Sequence, residues 1–159
     1  MVDTVRRYSS SPCGMNEVDP AYLGYWSKEE VVVFLKSLLA QERIGTKAFA
    51  DIGQAASLRI ADLILESELD QGRICILLQK ELTKRGTTIS ARHRGRANGR
   101  CAKVSLEQAV ASAQSNQTAL VQTIEDAILN IFDAELNAHL MRILQLHRKQ
   151  IEQLNTLLA

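Results

Sequence analysis

From Lys28 onward the apolar residues recur every third or fourth position, the spacing of one face of an α-helix. Val31, Phe34, Leu35, Leu38, Ala48, Phe49 and Ile52 predict a first helix over about 28–53, opened by a Ser27/Glu30 capping box and closed at Gly53. A second is predicted over about 57–85. Ser57 opens it, and Gly86 after Lys84-Arg85 stops it. Its inner face reads Ile60, Ala61, Ile64, Leu65, Cys75, Leu78, Leu82, and its outer face carries Arg59, Asp62, Glu66, Arg73 and Lys80. A third, about 105–130, turns Val110, Ala113, Leu120, Val121, Ile124 and Ile128 inward. A fourth, about 134–158, follows a break at Phe132-Asp133 and turns in Leu136, Leu140, Ile143, Leu144, Ile151, Leu154 and Leu158.

The link between the first two helices is so short that they must be antiparallel neighbours. Residues 86–104 have no periodicity and contain three glycines and a cluster of arginines, which predicts a long connection between the second and third helices. Both prolines, Pro12 and Pro20, fall in the first twenty residues. Residues 1–27 therefore read as an irregular arm, with Tyr22, Tyr25 and Trp26 as an aromatic anchor that caps the core. The expected architecture is all-α: an antiparallel four-helix bundle over 28–159.

A chain of 159 residues suits one domain, and 46% hydrophobic against 4% aromatic residues favours helices packed through aliphatic side chains. A net charge of +1 argues against a strongly charged partner. Nucleic acid is not expected: Lys84, Arg85, Arg92, Arg94, Arg96, Arg100 and Lys103 gather in a short span, but no aromatic is interleaved, and a solvated loop explains them. Cys13, Cys75 and Cys101 are an odd set without metal spacing, which suits a reducing cytoplasm better than a disulfide framework. Cys75 reads as a small buried hydrophobe, Cys13 as exposed, and Cys101 lies beside Arg100 and Lys103. His93 and His139 read as solvated. The start lacks an apolar signal core, and no apolar run is long enough for a bilayer, so no membrane is expected. No nucleotide loop or nucleophile–base motif implies an organic cofactor.

The informative residues are polar ones on apolar faces. At about 100° per residue, Glu42 falls about 20° from Leu35 and Phe49. Glu68 and Gln71 flank the centre of the second helix's apolar face. Gln117 lies among Ala113, Leu120 and Val121, and His147 lies between Leu140 and Leu154. Each stands near the middle of its helix, so all five are expected to converge on one polar layer. A buried ionised carboxylate must be paired, bind a metal or take up a proton. The layer is therefore either a metal site or a network that sets register.

Here the chain resembles the ferritin-like superfamily, whose two-metal site takes a Glu from each of two helices and a Glu-x-x-His from each of the other two. Glu42 matches the first single Glu. Glu68-Leu69-Asp70-Gln71 keeps the spacing with Gln71 in place of histidine, Gln117 stands where the second single Glu would be, and Leu144-Gln145-Leu146-His147 keeps only the histidine. More narrowly, three stretches resemble a bacterial ferritin-like family of unknown function. They are the arm from Ser11-Pro12-Cys13 through Asp19-Pro20-Ala21-Tyr22-Leu23-Gly24, then Leu39-Ala40-Gln41-Glu42-Arg43-Ile44-Gly45, and Ile143-Leu144-Gln145-Leu146-His147. That family commonly shows a carboxylate near Gln71 and a histidine near Asn16, and both are absent here.

Two functions follow as expectations. One is a binding or interaction module, working as a homo-oligomer, with an incomplete core metal site. The other is a metal-dependent redox protein acting on oxygen, peroxide or a small organic molecule, with one iron or manganese ion held by Glu42, Glu68, Gln71, Gln117 and His147.

Overall fold

The computed structural model describes residues 18–89 and 104–157. Four helices make the bundle: α1 (Lys28–Ala55), α2 (Leu58–Lys84), α3 (Leu106–Ile128) and α4 (Ala134–Leu157). Side-chain caps set the starts of α1, α3 and α4, whereas Ser57, the N-cap residue of α2, makes no side-chain cap bond. The Ser27 hydroxyl accepts from the Glu30 amide while the Glu30 carboxylate accepts from the Ser27 amide, and Ser105 and Gln108 repeat the device at α3. Asp133 accepts the Leu136 amide at 3.0 Å and opens α4. Gly86, at φ 74°, takes the left-handed conformation that stops α2. Helix α1 runs two residues past Gly53, because Gln54 and Ala55 continue it and the chain turns only at extended Ala56. Helix α3 ends earlier than expected, at Ile128.

The arm before α1 carries local structure where it is described. Asp19 caps a 3-10 helix at Pro20–Leu23. Trp26 stacks obliquely on Phe34 at 5.4 Å, and its amide donates to the Asn130 carbonyl, which fastens the start of α1 to the end of α3. Tyr25 meets Phe132 at 5.1 Å, but Tyr22 is 85% exposed and anchors nothing among the described residues. The arm up to Glu17, the loop arginines, His93, Cys13, Cys101 and Leu158 lie outside the described residues.

Helix α1 packs against α2 and α3, and α4 packs against α3 and α2. Lys84 at the end of α2 reaches Glu135 at the start of α4, so α2 and α3 finish at the same end of the bundle and run parallel across its diagonal. Helix α3 therefore begins at the opposite end of the bundle from the end of α2, and all neighbouring helices are antiparallel.

The core divides in two. Phe34, Leu35, Leu38, Leu78, Leu82, Leu120, Ile124, Leu136 and Leu140 belong to a larger cluster. Phe49, Ile52, Ile64, Val110, Ala113 and Leu154 belong to a smaller one. Along each helix the two sets are separated by one short polar interval, and those intervals meet at mid-bundle. No helix among the described residues is long and apolar enough to cross a membrane.

Candidate functional site

Glu42, Gln71, Gln117 and His147, one from each helix, are fully buried at that level. Nε2 of His147 bonds Oε1 of Glu42 at 2.8 Å, directly across the α1–α4 diagonal. Nδ1 of the same ring lies 3.3 Å from Oε1 of Gln150, and that oxygen also accepts from Nε2 of Gln71 at 3.1 Å. The chain of contacts thus runs from α1 through α4 to α2. An imidazole N–H at Nε2 donates to the Glu42 carboxylate, and that hydrogen bond offsets part of the cost of burying the group in an aliphatic core.

Gly45, one turn beyond Glu42, makes room for the amides. A Cβ at this position would stand 2.8 Å from Nδ2 of Asn116 and 3.0 Å from Oε1 of Gln71. A glycine inside a helix costs about 1 kcal/mol relative to alanine, so its use here has a packing reason. Gly45→Val is expected to lower unfolding free energy by about 1–3 kcal/mol in urea titrations, through overpacking. Unchanged or raised stability would show that the amides yield without loss.

Several polar atoms of the layer have no hydrogen-bond partner among the described residues. They are Oε2 of Glu42, Oε1 of Gln71, both ends of the Gln117 amide, Nδ2 of Asn116 and Nε2 of Gln150. Three are acceptors by nature and three are donors. A bare cation satisfies acceptors only, whereas bridging water satisfies both kinds.

Glu68 is not brought to the layer. It is half-buried on the flank of α2, and its carboxylate lies 3.5 Å from where a Cβ of Gly53 would stand. That is about three turns from Glu42 along α1. Its neighbour Leu65, expected inside, is 51% exposed. Gln150, Asn116 and Gly45 were not evident from apolar periodicity. Gln150 could have been found as the residue three after His147 on the same face. Cys75 is half-buried on the flank of α2. Burial pushes its thiol pKa up, and the nearby Glu42 charge adds to this, so it is a poor nucleophile.

A second cluster sits at the end of the bundle where α2 stops and α4 begins. Nδ1 of His139 lies 3.1 Å from Oε1 of buried Glu81, which corrects the expectation of a solvated histidine. Arg85 also bonds the Glu81 carboxylate, and its other nitrogen reaches Asp133 at 2.6 Å. Lys84 bonds Glu135 at 2.7 Å. That hydrogen bond holds the Glu135 carboxyl below its usual range and raises Lys84. Glu81, Glu135 and His139 offer ligand atoms within 4.8 Å of one another, a spacing open to a divalent ion. They are the one such group of three among the described residues. The Glu135/His139 spacing, one turn apart on α4, was the available sequence signal.

No curated protein matches the sequence. In fold, the chain is similar to a two-domain protein from Anabaena variabilis that contains DJ-1/ThiJ/PfpI-like and ferritin-like domains. The TM-score is 0.71 at 17% identity, over 95% of this chain and 44% of that one. The chain therefore spans less than half the length of that protein, and likeness at this identity speaks for the fold alone. Residues 29–156 match the family described as Domain of unknown function (DUF6306). Because the match takes in nearly the whole of all four helices, the chain belongs to the DUF6306 family, and its fold is a ferritin-like four-helix bundle.

Proposed function

We propose that the domain works by association, as a ferritin-like interaction module whose mid-bundle layer is an incomplete metal site now serving as a hydrogen-bond network. The observation that supports this most is the 2.8 Å bond between the layer's one carboxylate and its one imidazole. The two-metal pattern of the superfamily needs a carboxylate from every helix and two histidines. Here Gln71 and Gln117 are amides, Leu144 is apolar, and Glu68 faces away toward Gly53. The residues present do not fit a two-metal centre. A cytoplasmic setting belongs to the same proposal, and the free thiol of Cys75 supports it.

Elemental analysis of protein purified without chelator tests the reading. Iron and manganese are expected far below one ion per chain after dialysis, and a tightly held stoichiometric ion of either would overturn it.

The second reading, a metal-dependent redox protein using iron or manganese, draws on two observations. One is the unpartnered oxygens of Glu42, Gln71 and Gln117, and the other is the Glu81–Glu135–His139 group. Under it, metal survives dialysis. Loss of that metal in His147→Ala would assign the ion to mid-bundle, and loss in His139→Ala alone would assign it to the bundle end.

A further inference from the structure

Helix α2 is apolar on two opposite sides. Ile64, Ile74, Leu78 and Leu82 face the core. About 180° around the helix, Leu58 is 87% exposed, Leu65 51%, Leu69 54% and Ile76 54%. These four fall within an arc of about 40° and run about 27 Å along the helix. A solvent-facing stripe of this kind is not needed for the bundle, and such patches mark contact sites.

The stripe has a symmetry. Leu58 and Ile76 lie equally far before and after Ser67, and so do Leu65 and Leu69. Laid antiparallel on a second copy about a two-fold axis that crosses the stripe at the level of Ser67, between Leu65 and Leu69, each residue meets an apolar counterpart. Leu58 faces the partner's Ile76, and Leu65 faces the partner's Leu69. Asp62, the polar residue within the stripe, faces the partner's Gly72, which leaves room for it, beside the partner's Arg73. The Arg73 guanidinium is 73% exposed and is held by Asp70 at 2.9 Å on its own helix, so it can bridge both carboxylates. A parallel pairing would instead set Asp62 against Asp62.

We infer that α2 is the seam of a homodimer, two copies packing antiparallel through Leu58, Leu65, Leu69 and Ile76 with Asp62–Arg73 pairs across the axis. The stripe offers roughly 400 Å² of apolar surface per copy, and the stems of Arg59, Glu66 and Arg73 bring the contact toward the ~800 Å² per partner of a stable dimer. Self-complementarity is what a two-fold interface requires. The inference rests on reading the domain as an association module, yet the two fail separately. A monomer without metal removes the seam and leaves that reading standing.

Sedimentation equilibrium of the full chain is the test. The mass expected is twice the 17.7 kDa of one chain. Leu65→Asp/Leu69→Asp is expected to give the monomer with unchanged helicity, since both positions are exposed. Asp62→Arg and Arg73→Asp should each weaken association on the order of tenfold, and the double exchange should restore it. A monomeric wild-type chain overturns the proposal, as does a dimer that survives Leu65→Asp/Leu69→Asp. A charge exchange that fails to restore association overturns the antiparallel register.

Discussion

His147→Leu is expected to reduce unfolding free energy by about 3–5 kcal/mol, a large fraction of the stability of a domain this size. The loss comes less from the missing hydrogen bond than from Glu42, whose carboxylate is left fully buried without its partner. Adding Glu42→Leu to His147→Leu removes the orphaned charge, and the double variant is expected to recover most of the loss, because apolar replacement of a whole buried pair is often neutral. Urea titration of the two single variants, the double variant and the wild type gives the coupling directly. Additive losses would mean that the two groups are not energetically paired in the folded protein.

The bundle-end cluster carries the second large effect. In Arg85→Met the Glu81 carboxylate, 6% exposed, loses its guanidinium partner and, among the described residues, keeps His139. A loss of about 2–4 kcal/mol is expected, somewhat below that for a fully buried pair because water reaches Arg85. Lys84→Met, one residue away, breaks a solvent-exposed pair with Glu135 and is expected to change little. If the two variants unfold at the same urea concentration, the burial of Glu81 is not what gives Arg85 its weight.

Much of this arrangement was legible in the chain itself. Glu42 and His147 could be placed at the core because aliphatic and aromatic residues flank each on the same helical face, at positions where a 3.6-residue repeat admits no other orientation. Glu68 was misplaced for an instructive reason. Leu65, on the outer stripe, is counted with the inner face and pulls its apparent centre toward Glu68, whereas the true centre lies nearer Ile74 and Leu78. Periodicity averages two apolar faces into one when a helix carries both. Gln150 is hidden in the sequence beside Ile151, which the apolar repeat places inward and which is only partly buried. The diagonal bond from Glu42 to His147 was beyond a single-helix argument, since it depends on how four helices are arranged around a common axis.

The polar layer joins the two pairs of helices that are consecutive in the chain. Glu42 to His147, Gln71 to Gln150, and Gly45 beneath Asn116 all link the α1–α2 hairpin to the α3–α4 hairpin. Each hairpin can form from contacts close in sequence with these side chains still in water. When the hairpins dock, aliphatic faces can slide past one another by a turn at little loss, but a slid pairing strands a carboxylate, an imidazole and several amides against leucine. The layer thus acts as an alignment mark for docking, penalising mis-threaded assemblies that the greasy surfaces alone would tolerate.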